Sequence, residues 1–232
     1  MTNNQLSLDS YATLVFDCDG VILDSNKVKT QAFYQAALPY GEAAAQALAD
    51  YHVANGGVSR YKKFAYFLEN IATKSIAGVT LDTLLKSYAE HVITGLLSCE
   101  IATDLIELRE RTPNMRWLIV SGGDQSELRS VFDQRGLSAL FDGGIYGSPD
   151  IKEAILDREQ SNGTITSPAL FLGDSKYDYK AATGAKIDFV FMSNWSEVEN
   201  WEQWSLQNNI YALPKISCLL DFCAQPLITQ QT

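Results

Sequence analysis

The sequence predicts an α/β protein in which a parallel sheet carries helices on both faces and an all-α domain is inserted near the start. From residue 98 onward, helical patterns alternate with short apolar runs, which is typical of a parallel sheet. Residues 25–97 show helical patterns and no strand signal. The 232 residues suffice for a core domain with an insertion. We therefore predict a core domain of residues 1–24 and 98–232, and a helical domain of residues 25–97.

The individual elements follow from apolar periodicity and from turn residues. A short apolar run over residues 14–18, bounded by Gly, predicts the first strand. Breaks that contain Pro and Gly separate the next four predicted helices, at about residues 26–38, 42–54, 59–73 and 81–97. Later helices are predicted near residues 100–112, 124–135, 150–160 and 176–183, and later strands at residues 117–120, 144–146, 169–172 and 189–192. All the carboxyl ends of these strands meet at one edge, where open α/β sheets bind ligands.

The apolar run of the first strand ends in two aspartates, Asp17 and Asp19, and Gly20 follows them. Carboxylates two residues apart repel each other, so such a pair persists when a cation neutralises it or when the two acids have different roles. Hard cations such as Mg²⁺ prefer carboxylate and carbonyl oxygen. A lone acid pair is equally compatible with a helix cap or a solvated turn. The other strand ends decide between these interpretations.

Three further strand ends carry residues suited to a charged site. Ser121 and Gly122 follow the second strand, and a hydroxyl with exposed backbone N–H groups suits an anionic oxygen. Lys152 stands at a predicted helix start, where its charge opposes the helix dipole, which indicates pairing with carboxylates or a phosphoryl group. Asp174 and Asp178 are spaced to open one helix together. Each feature alone has an ordinary structural explanation. Together they predict a metal-assisted acid site at one edge of the sheet.

Composition excludes several classes of protein. A net charge of −10 argues against a nucleic-acid binder, whereas a small anionic substrate stays compatible because a bound cation reverses the local field. The cysteines form no CxxC pair and the two histidines complete no zinc pattern. The cysteines are Cys18, Cys99, Cys218 and Cys223, of which the last two are predicted on one C-terminal helix. The sequence shows neither a signal-peptide pattern nor a membrane span. We expect a cytoplasmic protein without a membrane partner.

The chain resembles the haloacid dehalogenase-like superfamily at four places. Its segments match the four motifs of that superfamily in order: DCDGVILDS, IVSGG, YGSPDIK and FLGDSKYD. The resemblance covers about residues 12–192, with an insertion where that superfamily places its helical C1 cap. It implies a Rossmann-like core with a cap that governs substrate specificity. Asp19 resembles the acid that phosphatases and phosphomutases of the superfamily have and that its dehalogenases and phosphonatases lack.

The resemblance implies roles for the four aspartates. Asp17 resembles the nucleophile that forms an aspartyl-phosphate. Asp19 is similar to the general acid/base, whose backbone carbonyl also helps bind Mg²⁺. Asp174 resembles a direct Mg²⁺ ligand, as does Asp17, and Asp178 a residue that supports the metal site.

The resemblance also implies how the phosphoryl group would be held. Ser121 and the adjacent Gly122 would bind the phosphoryl group, and Lys152 would neutralise the phosphoryl oxygens and the nucleophile. The activity so implied is that of a Mg²⁺-dependent phosphatase acting on a small phosphorylated metabolite, such as a sugar phosphate, a sugar-acid phosphate or phosphoglycolate.

Two alternatives are weighed against the phosphatase. A β-phosphoglucomutase-like phosphomutase fits the same motifs, but many cap-bearing relatives have a Glu and a His soon after the first motif. This chain has DSNKVK at residues 24–29, with neither. A phosphorylatable signalling receiver also combines Asp, Ser or Thr, and Lys on a parallel sheet. Such domains are shorter, lack a cap and do not carry the phosphoacceptor on the first strand.

The candidate specificity residues lie at the most glycine-rich turn of the helical insertion. Gly57 permits a close backbone approach to a ligand, and Arg60 or Lys63 is suited to bind a carboxylate or hydroxyls. The alternative is a helix N-cap at Ser59 followed by exposed basic residues. Tryptophans within residues 195–204 are predicted to pack on the sheet, with an oligomer contact as the alternative. The sequence leaves the substrate and the oligomeric state open.

Overall fold

A computed structural model describes residues 6–72 and 79–223, in which the chain forms one six-stranded parallel sheet. The strands are β1 (Thr13–Phe16), β2 (Arg116–Asp124), β3 (Ile145–Ser148), β4 (Ala169–Gly173), β5 (Asp188–Met192) and β6 (Tyr211–Leu213). Their order across the sheet is β3-β2-β1-β4-β5-β6. This Rossmann-like order confirms the predicted fold class. The strand order reverses between β1 and β4, which is where sheets of this kind bind ligands.

The central strand β1 is buried on both faces of the sheet. Leu14 and Phe16 point into one hydrophobic cluster, and Val15 points into the other. Successive side chains of a strand alternate between faces, so a strand with helices on both sides needs apolar residues at every position. The aromatic ring of Phe16 packs 4.8 Å from that of Trp117 on the neighbouring strand. This packing fixes the position at which β1 ends and the acid pair begins.

Four α-helices follow β1 within residues 26–98, and the described part of this segment contains no named strand. They are α1 (Asn26–Ala37), α2 (Glu42–Ala54), α3 (Arg60–Tyr66) and α4 (Leu81–Ser98), and α3 continues as a π-helical turn through Ile71. The prediction of an all-helical insertion is correct for this part, although residues 73–78 lie outside the described ranges. Its division into a separate domain stays a prediction. Helix α4 buries one residue per turn against the rest of the segment: Leu84, Tyr88, Val92 and Leu96.

The two connections between the helical segment and the sheet pair with each other. The Asp24 N–H donates to the Glu100 carbonyl at 3.0 Å, and the Ala102 N–H donates to the Ile22 carbonyl at 2.9 Å. Because residues near 100 are held in this extended ribbon, the helix predicted there begins only at residue 105.

The later helices follow the predicted alternation. They are α5 (Leu105–Arg111), α6 (Gln125–Gln134), α7 (Lys152–Ser161), α8 (Lys176–Gly184) and α9 (Trp201–Gln207). Strand β2 runs four residues beyond its predicted end, because Asp124 still pairs with Ser148 across an irregularity in the ladder. Residues 121–123 therefore lie within a strand and not on a turn.

The C-terminal part differs most from the prediction. Helix α9 and the edge strand β6 were not predicted. Strand β6 has only three residues, which are too few to show an alternating pattern. A 3₁₀ helix over Ile216–Phe222 contains Cys218, and Cys223 follows its end, so the single helix predicted for both is wrong.

The tryptophan-rich segment packs on the sheet, as predicted. The ring of Phe191 on β5 lies 5.7 Å from that of Trp201 and 5.4 Å from that of Trp204. Among the described residues, no helix is both long and apolar enough to cross a membrane.

Candidate active site

A cavity of about 770 Å³ lies between the carboxyl edge of the sheet and the helical segment. Its size is that of a small-molecule site. Acids of the sheet and basic residues of the helices line it together: Asp17, Asp19 and Asp174, with Lys29, Arg60 and Lys63.

Asp17 is placed by β1 at the base of this cavity and is 2 % exposed. Its Oδ1 accepts a hydrogen bond from the Cys18 N–H at 2.8 Å and lies 3.0 Å from the Lys152 ammonium. Burial raises the pKa of Asp17 to about 7; the charge of Lys152 opposes this rise, and the charge of Asp178 adds to it. The carboxylate is therefore held in place through Oδ1, in an environment that disfavours its negative charge.

Three buried carboxylates form a cluster at the ends of β1 and β4. One oxygen each of Asp17, Asp174 and Asp178 lies within 4.8 Å of the others. Burial raises the pKa of Asp174 well above its usual value, and the charges of Asp178 and Asp17 raise it further. The oxygens of this set are the donors that a hard divalent cation prefers, and a dication would offset their repulsion. The residues present therefore fit Mg²⁺.

Asp178 lies deepest in this cluster, and both of its oxygens already have partners. Its Oδ2 accepts hydrogen bonds from the Ser175 hydroxyl at 2.6 Å and the Ser175 N–H at 3.1 Å, which closes the start of α8. Its Oδ1 pairs with Lys152. These contacts suit the supporting role inferred from the sequence.

Lys152, the first residue of α7, lies between the carboxylates of Asp17 and Asp178. It is 1 % exposed and forms ion pairs with Asp17 and Asp178. The charges of these carboxylates outweigh burial and raise the pKa of Lys152. The unfavourable position of a lysine at a helix start is thereby explained, because a carboxylate after β1 and a carboxylate on α8 hold it there.

Asp19 lies apart from the acid cluster in the described structure. Its side chain forms an ion pair with Lys29 of α1 and accepts a hydrogen bond from the Ser25 hydroxyl at 2.6 Å. Burial favours the neutral acid, but the charge of Lys29 and these hydrogen bonds together lower the pKa of Asp19. The side chain is thus positioned by the helical segment, at the boundary between segment and sheet.

Ser121 and Gly122 lie on the extended end of β2. Ser121 is fully buried, and its Oγ accepts a hydrogen bond from the Gly123 N–H at 3.1 Å. Gly122 lines the cavity. A Cβ added to Gly122 would lie 2.2 Å from the Gly57 carbonyl oxygen, so this glycine allows the helical segment to touch the sheet.

The basic residues after Ser59 are buried, apart from Lys62, so the alternative of an exposed basic helix start is wrong for Arg60 and Lys63. The Arg60 guanidinium is paired with Glu127 at the start of α6 and lies 4.4 Å from the centre of the Tyr88 ring. The Lys63 ammonium lies 2.6 Å from Nδ1 of His52.

Asn26, Lys29 and His52 are among the polar residues of the cavity that were not predicted from the sequence. Asn26 donates hydrogen bonds to Oδ2 of Asp174 at 2.7 Å and to the Trp195 carbonyl at 2.8 Å, so it positions a cluster acid from the helical segment. Lys29 lies one turn further along α1 and reaches Asp19, and His52 lies on α2. The spacing of three residues between Asn26 and Lys29, directly after the acid motif, is the signal that indicates a shared polar face.

Comparison with known proteins agrees with this geometry. The sequence model of the haloacid dehalogenase-like hydrolase family matches residues 11–186. The chain therefore belongs to the haloacid dehalogenase-like hydrolase family and is an enzyme of the hydrolase class.

Several solved structures share the fold. A haloacid dehalogenase-like hydrolase from Streptococcus pneumoniae is similar with 20 % identity and a TM-score of 0.66, over 92 % of this chain and 99 % of that chain. A protein assigned as a phosphoglycolate phosphatase from Lactobacillus plantarum has 20 % identity and a TM-score of 0.69, with the same coverage. The β-phosphoglucomutase of Clostridium difficile has 16 % identity and a TM-score of 0.65, over 91 % of this chain and 96 % of that chain. No curated protein matches the sequence.

Proposed function

We propose that this hydrolase is a Mg²⁺-dependent phosphatase that acts on a small phosphorylated metabolite through an aspartyl-phosphate on Asp17. The observation that carries the proposal is the buried Asp17 carboxylate, with Lys152 at 3.0 Å and two further acids beside it. The similarity to a phosphoglycolate phosphatase fold agrees with it.

Each residue of the site has a part in this reaction. Asp17 attacks phosphorus through Oδ2 while Oδ1 stays bonded to the Cys18 N–H and Lys152. The Lys152 charge offsets the negative charge that gathers on the phosphoryl oxygens. The Ser121 hydroxyl and the Gly122 N–H are the candidate donors to those oxygens. Forming the aspartyl-phosphate divides one slow displacement into two easier steps.

Asp19 is the candidate general acid/base. It protonates the leaving oxygen in the first step and takes a proton from the attacking water in the second. Its contact with Lys29 and Ser25 keeps the carboxyl group oriented between these steps.

Asp17 and Asp174 would hold Mg²⁺, with the backbone carbonyl of Asp19 as a further ligand and Asp178 in a supporting role. When bound, the ion supplies positive charge that offsets the repulsion between the acids and an anionic ester. Removing the ion with EDTA should abolish turnover, and adding Mg²⁺ should restore it. Full phosphate release by chelated enzyme would contradict the proposal.

Asp17→Asn is the direct test of the nucleophile. The amide is nearly isosteric but a poor nucleophile, so kcat for phosphate release should fall by at least about a thousandfold. Asp133→Asn, a change of the same kind at an exposed position of α6, should leave kcat unchanged. The assay is phosphate release across metabolite phosphates. Interconversion of two sugar phosphates without phosphate release would instead identify a mutase.

A further inference from the structure

Four basic side chains around the cavity are buried, and three of them are paired with carboxylates. The pairs are Lys29 with Asp19, Arg60 with Glu127, and Lys152 with Asp17 and Asp178. The fourth is Lys63, which is 1 % exposed. In the described ranges no carboxylate oxygen comes within 4.0 Å of its ammonium.

Among the described residues, the groups that contact the Lys63 ammonium are neutral. Its Nζ lies 2.6 Å from Nδ1 of His52 and 3.4 Å from the His52 carbonyl oxygen. The ring of Phe33 is centred 5.5 Å away. Burial lowers the pKa of Lys63 to about 7, and the charge of Lys29 lowers it too, whereas Asp19 and Glu197 act in the opposite direction from a greater distance.

The ring of His52 contains a second polar group that lacks a hydrogen-bond partner among the described residues. When Lys63 is protonated, its ammonium donates to Nδ1 of His52, and the proton of the neutral ring is then on Nε2. Nε2 is buried and has no hydrogen-bond partner among the described residues. Both His52 and Lys63 line the cavity.

A buried ammonium without a counter-charge and a buried ring N–H without an acceptor are each costly. Both costs are removed if a ligand in the cavity supplies negatively charged oxygens. The paired cations cannot serve in this way without breaking their existing ion pairs, and Arg60 in particular is held by two guanidinium contacts to Glu127.

We infer that Lys63 and His52 bind a second anionic group of the substrate, remote from the phosphoryl group that is cleaved. The substrate is then a phosphate ester that also carries a carboxylate or a second phosphate, and a neutral phosphorylated sugar is not preferred. This inference rests on the proposed phosphatase activity.

The test compares esters of equal chain length that differ in one end group. Ethyl phosphate has a methyl group at that end, phosphoglycolate a carboxylate and ethylene glycol bisphosphate a phosphate, and longer series of up to five carbons follow the same design. The full-length enzyme with Mg²⁺ should show kcat/KM at least about 30-fold higher for one of the two anionic series than for the neutral series. The series that is preferred identifies the second anion.

Lys63→Met should reduce this preference to less than about threefold, because kcat/KM falls mainly for the anionic esters, and circular dichroism checks that the variant folds. Lys62→Met, an exposed lysine one position earlier, is the matched control and should keep the full preference. If Lys63→Met does not fold, Lys63→Arg retains the charge and should retain the preference. Equal activity of the unaltered enzyme on all three series would overturn the inference, as would an equal loss on all esters in Lys63→Met.

Binding measured by calorimetry tests the anion site independently of phosphatase activity. The anionic probes are phosphonoacetate and ethylene-1,2-bisphosphonate. The probe that matches the preferred series should bind more tightly than ethylphosphonate, and Lys63→Met should remove the difference. If no ester is hydrolysed but this binding difference is found, the phosphatase proposal fails and the anion site stands. If esters are hydrolysed and the difference is absent for both carboxylate and bisphosphonate probes, the anion site fails and the phosphatase proposal stands.

Discussion

Gly20 sets the space available to the acid cluster. It has φ of +71°, and a Cβ at this position would lie 2.0 Å from Oδ2 of Asp174 and 2.6 Å from Nδ2 of Asn26. A side chain here would therefore push a cluster acid away from its partner as well as strain the backbone.

We expect Gly20→Ala to destabilise the fold by about 3 kcal/mol or more, and to raise the Mg²⁺ concentration needed for half-maximal activity. Gly163→Ala is the control, since Gly163 has φ of +80° and no atom within 4 Å of an added Cβ. The free energy of unfolding of that variant should fall by only about 1 kcal/mol, which is the cost of a left-handed backbone conformation for alanine. The measurements are urea unfolding and Mg²⁺ titration of activity. Equal losses in the two variants would show that the clash with Asp174 relaxes at no cost.

At the scale of elements, the N-terminal ends of α3 and α6 contact each other across the boundary between the helical segment and the sheet. Arg60 pairs with Glu127, and the Tyr61 hydroxyl donates to Asp124 Oδ2 at 2.7 Å. The Arg60 side chain is buried and that of Glu127 is nearly so, at 6 % and 10 % exposure. Removing one partner of such a pair strongly destabilises the fold, because the other charge is left in the interior without a counter-charge.

A double-mutant cycle with Arg60→Ala and Glu127→Ala should give a coupling free energy of about 2 kcal/mol. The exposed pair Arg111 and Glu107, with a nitrogen–oxygen distance of 3.2 Å, is the comparison and should give less than about 0.5 kcal/mol. Activity of Arg60→Ala on a metabolite ester and on an aryl phosphate should fall by similar factors, because Arg60 already has a partner in the protein. A loss confined to the metabolite ester would mean that Arg60 contacts the substrate.

At the scale of the whole molecule, the contact between Gly122 and Gly57 closes the helical segment over the sheet. The Gly57 carbonyl approaches Gly122 so closely that an added Cβ would lie 2.2 Å from it. Closure excludes water from the acid cluster and brings Lys29, Arg60 and Lys63 to the cavity. The paired connections at residues 22–24 and 100–102 are where the segment joins the sheet.

Gly122→Ala should therefore displace the turn that contains Gly57 and lower kcat/KM for a metabolite ester by about tenfold or more. The Val58 N–H, which donates to the Asn55 carbonyl at 3.3 Å, should exchange with solvent faster. Gly184→Ala, which meets no atom within 4 Å, should change neither quantity. Unchanged exchange at residues 55–58 in Gly122→Ala would indicate that the turn does not depend on this contact.

The sequence by itself determined the sheet and the place of the acids along the chain. Apolar runs that end in Asp17, Ser121 and Asp174 specify buried parallel strands with polar ends, and parallel strands bring those ends to one edge. The helical bounds from residue 26 to residue 54 were equally predictable, because periodicity and Gly or Pro breaks are local properties of the chain.

Only the tertiary structure decided which charges meet. Lys29 with Asp19, Arg60 with Glu127 and Lys63 with His52 are contacts between side chains 10, 67 and 11 residues apart. The first two depend on how the helical segment sits on the sheet, and the third depends on how α2 packs on α3. The same holds for the extended end of β2 and for β6, whose pairing comes from neighbouring strands. Local pattern places a residue on an element, whereas burial and charge pairing arise from the packing of elements that are distant in sequence.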